Sequence, residues 1–122
     1  MFCEVKTRNG TIGLDKAVLG YIIRREADAF QGKVLLSNAK GKPIGDAVGF
    51  FDCVQTEADA FELRVFVVLQ FGVSINEVTR ELIRRIRAQT ETMIGVRASR
   101  VVIAVRGMLS KNISRRDLEI VG

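Results

Sequence analysis

The 122-residue sequence has no histidine and no tryptophan, a single proline and two cysteines. Histidine is the commonest general base near neutral pH and a preferred metal ligand. Its absence excludes Ser-His-Asp and Cys-His nucleophile arrangements and every His-based metal site. Cys3 and Cys53 are too few for a four-thiolate zinc site or a disulfide framework and suit a reducing cytoplasm. An apolar run such as Val65 to Leu69 falls far short of the roughly 20 residues that a membrane-spanning helix needs. The opening stretch Met1 to Arg8 is charged where a secretory signal needs an apolar segment. A cytoplasmic, unexported chain without a transmembrane segment of its own is expected. Walker A, HExxH, GxSxG and strand-turn-helix GxGxxG patterns are also missing, so no enzymatic reaction, cofactor or metal is implied.

What is present describes a folded domain. With 48% hydrophobic and 27% charged residues the composition is globular rather than disordered. A chain of this length can bury roughly two-thirds of its unfolded surface in one core. The net charge of +5 is unevenly placed. Through Ala60 eight bases balance eight acids, whereas from Phe61 onward eleven bases face six acids, and ten of those bases are arginine. Arginine suits two-point contact with carboxylate or phosphate, so the second half of the chain points to an anionic partner.

Gly10 to Leu14 alternates as a short strand and leads to Asp15, an N-cap for a helix over Lys16 to Phe30. On a helical wheel Val18, Leu19, Ile22, Ile23, Ala29 and Phe30 share one side, and Gly32 is the stop. Lys33 to Ser37 reads as a strand, Asn38 to Gly45 as a loop, Val48 to Gln55 as a weaker strand and Thr56 to Asp59 as a turn. Phe61 to Phe71 begins with strict alternation and becomes continuously apolar, the pattern of a central strand covered on both faces over part of its length. After Gly72, Ser74-Ile75-Asn76-Glu77 has the form of a capping box. The second helix follows, with Ile75, Val78, Leu82, Ile86 and Met93 on one face flanked by Thr79, Ile83 and Thr90, and Gly95 at its end. Val101 to Val105 is the last predicted strand. Residues 1–107 are read as a single domain and 108–122 as a polar, mobile tail. The order β-α-β-β-β-α-β predicts an α+β two-layer sandwich, with one mixed sheet carrying both helices on one face.

Three stretches, in this order, resemble the alkaline shock protein family of envelope stress response proteins. They are Gly10-x-Ile12-x-Leu14 with Val18-Leu19-x-x-Ile22 and Gly32; Val67 to Ile75 with Val78; and Met93-Ile94-Gly95-Val96 with Val101-x-Ile103-x-Val105-x-Gly107. The resemblance covers Gly10 to Gly107. Ile83, Asn76 and Ile94 depart from the family's usual Gln, Pro and Thr, and Glu26 stands where a small residue is common. The resemblance implies a small, cytoplasmic, non-catalytic protein of Gram-positive-type bacteria. Such a protein would serve cell-envelope homeostasis as a scaffold or adaptor, through protein partners at the inner membrane surface, one of them membrane-anchored.

Candidate sites are few. Arg80, Arg84 and Arg87 recur at i, i+4, i+7 and form a ridge opposite the apolar stripe. The ridge can meet a partner or simply be a solvated face, since Glu91 extends it and Glu81 can pair with Arg85. Glu26 lies on the apolar side of the first helix; buried without a partner it would be a functional carboxyl, whereas pairing with a strand arginine such as Arg64 or Arg106, or a place at the helix's exposed end, makes it ordinary. Phe50, Phe51, Phe61, Phe66 and Phe71 form a stacking platform for single-stranded nucleic acid only where two of them share the helix-free face beside Arg64 or Arg106; otherwise they are core. A small basic nucleic-acid-binding protein is therefore the alternative function. Gly10 to Gly13 spells the GxxG of a nucleic-acid-binding module, but here it lies in a strand. Asn112-Ile113-Ser114 is a glycosylation sequon without meaning in an unexported chain. The apolar run Val65 to Leu69 suggests a homo-oligomer formed through an open sheet face.

Overall fold

The computed structural model describes residues 2–7, 10–42, 49–57, 60–95, 98–109 and 113–122. The expected elements are present, with a strand added at each end. Strands β1 (Phe2–Thr7) and β2 (Gly10–Asp15) pair as an antiparallel hairpin separate from the main sheet. Helix α1 (Lys16–Asp28), strands β3 (Val34–Leu36), β4 (Phe51–Glu57) and β5 (Ala60–Gln70), helix α2 (Ile75–Ile94) and strands β6 (Arg100–Leu109) and β7 (Ile113–Val121) follow. Residues 43–48, read as the end of a loop and the start of a strand, lie outside the described residues, as do 58–59 of the predicted turn and Asn112 of the sequon.

The main sheet has five strands and is mixed. β5 and β6 run parallel, joined through α2, while β3, β4 and β7 are antiparallel to their neighbours. β3 and β4 share one edge of β5 end to end. β4 pairs with Ala60 to Val65 and β3 with Val67 to Leu69. The handover falls on Phe66, whose amide donates to the Phe50 carbonyl at 2.9 Å and whose carbonyl accepts from the Ser37 amide at 3.0 Å.

The polar tail expected from 108 is instead sheet. Met108 and Leu109 close β6, and β7 pairs antiparallel with β6 from Val102↔Val121 to Leu109↔Ile113. β7 is an edge strand, and edge strands carry the charged composition that reads as a tail in the sequence.

Side-chain period 2 in the strands and 3.6 in the helices places the core. Leu63, Val65, Val67 and Leu69 of β5 and Val101, Ile103 and Val105 of β6 form one cluster with Leu19, Ile23 and Ala27 of α1 and Leu82, Ile83 and Ile86 of α2. Both helices thus cover the same face. Val18 and Met93, placed on the apolar stripes by the wheel, are 39% and 48% exposed. The buried positions of α2 are Thr79, Leu82, Ile83, Ile86 and Thr90, and Met93 lies one turn beyond the last of them. The buried Thr79 hydroxyl is satisfied by donating to the Ile75 carbonyl at 2.5 Å.

The opposite face is not open. Phe66, Val68, Val102 and Ala104, which point away from the helices, are all buried. The turn at Asn38 to Lys42 lies on this side, held by the Asn38 side chain accepting from the Lys40 and Lys42 amides at 3.0 Å. Gly41 in that turn has φ +88°, and an added Cβ would stand 3.2 Å from the Arg106 Cβ and carbonyl oxygen. Glycine is required here on both counts. The run Val65 to Leu69, from which a homo-oligomer was expected, is buried within the chain itself.

Candidate functional site

Helix α2 positions the arginine ridge. Ser74, in extended backbone, caps it by accepting from the Glu77 amide at 3.4 Å. Gly95 ends it at φ +81°, its amide donating to the Glu91 carbonyl at 3.0 Å. Gly32 and Gly72, expected as the stops before β3 and after β5, also have positive φ. Twenty residues at 1.5 Å rise make α2 a rod of roughly 30 Å. Its inward face is fixed by Leu82, Ile83 and Ile86, so positions 80, 84, 87 and 91 turn outward together.

The structure brings all three predicted arginines to one place. Arg80, Arg84 and Arg87 line a groove of about 400 Å³ between α2 and the end of β7, with Ile83 and Ala88 beside them, Glu91 at one side, and Val121 and Gly122 as the far wall. The wall is close to the floor, since a Cβ added to Gly122 would lie 3.1 Å from the Ile83 Cγ2. Gly122 is fixed there by reciprocal backbone hydrogen bonds with Val101 at 3.0 and 3.1 Å. The site is therefore cationic on its helix side and apolar between. The strand wall belongs to 108–122, where the polar sequence predicts a tail.

The three arginines are not equivalent. Arg80 is exposed and has no ion-pair partner among the described residues. Arg84 is held by Glu81, its Nε at 3.0 Å from Oε2 and its NH2 group at 2.5 Å from Oε1. These hydrogen bonds, with the nearby charges of Arg84 and Arg85, hold the Glu81 carboxyl below the usual carboxylate range, and Glu81 in turn raises the Arg84 guanidinium. Arg87 is half-buried and donates to the Ala98 and Ser99 carbonyls at 3.3 and 3.2 Å. Arg87 therefore ties the helix to the segment entering β6 as well as lining the groove.

Glu26 is buried, 7% exposed, and its partner is neither Arg64 nor Arg106. Arg85 of α2 reaches it at 3.7 Å, also contacts Glu81 at 3.2 Å, and lies over the Phe30 ring at 5.8 Å from its centroid. Arg85, outside the predicted ridge, thus clamps the two helices together. Arg64 and Arg106 are instead on the other face of the sheet, where both meet Glu119 of β7, and Arg64 and Arg100 flank Glu62. Glu119 belongs to β7, in the stretch whose polar sequence predicts a tail, and the sequence therefore carries no signal of this pairing.

The aromatic residues form no stacking platform among the described residues. Phe50, Phe51 and Phe61 are buried, Phe66 alone underlies Arg106, at 5.6 Å, and Phe71 is exposed at the turn after β5. Arg24 covers Phe50 at 5.3 Å. Cys53 packs against the core from β4. Among the described residues no group of His, Cys, Asp and Glu is arranged to hold a metal ion, and no helix is long and apolar enough to cross a membrane.

No curated protein and no solved structure matches the chain. A family profile does, over residues 4–110, from β1 to just past the end of β6. That span takes in the capped α2, the Glu26–Arg85 clamp and the parallel β5–β6 pair. The chain belongs to the alkaline shock protein 23 family, a family described by a cell envelope-related function.

Proposed function

We propose that the chain is a non-catalytic adaptor that serves its cell envelope-related role by holding a protein partner in the groove between α2 and β7. The observation that carries this reading is the convergence of Arg80, Arg84 and Arg87 on one concave surface with an apolar strip, Ile83, Ala88 and Val121, between them and the strand wall. A purely solvating charged face has no need of a concave apolar floor. In this reading the chain works in the cytoplasm, and attachment to the envelope comes through the partner, which can itself be membrane-anchored.

The test is affinity purification from native cell extract in parallel arms with and without nuclease, at low and high salt. An adaptor retains a stoichiometric protein in both nuclease arms and keeps much of it at high salt, because apolar contacts are not screened. Recovery of nucleic acid alone, lost on nuclease treatment and falling steeply with ionic strength, would overturn the proposal.

A further inference from the structure

We infer that the groove accepts an acidic peptide segment of a partner protein, with an aliphatic side chain seated on Ile83, Ala88 and Val121 and carboxylates on Arg80 and Arg84, and that Glu81 is a built-in competitor for Arg84. The inference rests on the adaptor reading and specifies its ligand. The chain already shows which anion the ridge grips. Glu81 offers a side-chain carboxylate to Arg84 through both oxygens, the two-point geometry in which arginine binds carboxylates most strongly.

Charge complementarity fixes the sign. Among the side chains that line the groove, three arginines stand against the single carboxylate of Glu91; Glu81 engages Arg84, and Arg80 is uncommitted among the described residues. The apolar strip fixes the class. A phosphate backbone would engage the arginines and leave Ile83, Ala88 and Val121 uncovered, whereas a peptide carrying Asp or Glu beside Leu, Ile or Val fills both halves of the site. Ligand carboxylates reach Arg84 only by sharing or displacing Glu81, so that removing the Glu81 charge strengthens binding.

The experiment selects short random peptides displayed against the full chain, then measures the enriched peptides by fluorescence anisotropy. The arms are wild type, the double variant Arg80→Gln with Arg84→Gln, Glu81→Gln and Ala88→Trp. Enriched peptides are expected to combine acidic with aliphatic residues. The double variant should weaken them about tenfold, as expected for two exposed ion pairs. Glu81→Gln should tighten them about two- to threefold, the worth of one such competing pair. Ala88→Trp fills the floor without changing charge and should abolish binding. Thermal melts check that each variant folds, and Ala88→Trp tests the site independently of the arginines.

Failure to enrich any peptide, or enrichment of peptides without acidic residues, overturns the inference. So does binding of a single-stranded oligonucleotide or of phosphatidylglycerol vesicles that depends on Arg80 and Arg84 while peptides do not bind. Unchanged or weaker binding by Glu81→Gln overturns the competitor role. If peptides fail while purification still retains a stoichiometric protein, this inference falls and the adaptor reading stands.

Discussion

The clamp between the helices predicts an asymmetry that a simple view of ion pairs does not. Glu26 is 7% exposed, whereas the Arg85 side chain is 39% exposed and has Glu81 as a second partner. Replacing Arg85 by leucine strips the cation from a buried carboxylate. Breaking a fully buried pair costs about 3–5 kcal/mol, and the solvent that reaches Arg85 reduces this to about 2 kcal/mol. Replacing Glu26 by leucine removes the buried charge itself and leaves Arg85 with Glu81 and water. That change should lie within about 1 kcal/mol of wild type, since exchanging a buried ionised group for an aliphatic one of similar size is often neutral.

Arg85→Leu also loses the contacts to Phe30 and Glu81, so the decisive quantity is the coupling in a double-mutant cycle. In the Glu26→Leu background, Arg85→Leu should cost at least about 1 kcal/mol less than it does alone. Urea denaturation at neutral pH gives these energies, and thermal melts should separate the single variants by about 3–6 °C per kcal/mol for a chain of this size. Additivity within about 0.3–0.5 kcal/mol, or a larger loss from Glu26→Leu than from Arg85→Leu, would refute the reasoning.

Two further substitutions test the C-terminal half of α2. Gly95→Ala meets no neighbouring atom, so only the left-handed φ of +81° opposes it; the expected loss is about 1 kcal/mol by denaturation, and a neutral result would mean that the cap is not held in this conformation. Arg87→Gln removes the donations to the Ala98 and Ser99 carbonyls; a loss of about 1–2 kcal/mol is expected, with faster hydrogen exchange at the Ser99 amide, which bonds to Phe61, and unchanged exchange there would show that Arg87 serves the groove alone.

How far the sequence reveals this architecture depends on the kind of signal each element carries. The central strand and α2 were legible because burial imposes a period on their side chains, and because Ser74 and Gly95 are the residue types that helix ends demand. β7 was not, since Ile113-Ser114-Arg115-Arg116-Asp117 has the polar character that protects an exposed sheet edge. Missing β7 hid two things at once: the far wall of the groove at Val121 and Gly122, and Glu119 as the partner of Arg64 and Arg106. Glu119 is the carboxylate that engages the strand arginines which the sequence offers to Glu26. The true partner, Arg85, sits on the other helix, and helix-to-helix placement is a matter of tertiary packing that residue spacing within one helix does not encode. The ridge itself was legible as a spacing, but the division of labour along it was not, because Arg87 is committed to carbonyls of a segment that begins after the helix has ended.

The handover at Phe66 gives the fold a site for adding sequence. The chain leaves the sheet after Ser37 and returns at Phe50, and both points are tied to the same residue, one to its carbonyl and one to its amide. The distance an excursion there must span is consequently set by the scaffold and does not depend on the excursion's length. Closing a longer loop between fixed ends costs only about 0.6 kcal/mol for each doubling. Residues inserted beyond the Asn38–Lys42 turn would thus leave the register of β3, β4 and β5 unshifted, which makes this point a junction for grafting an epitope or a second binding module onto the domain.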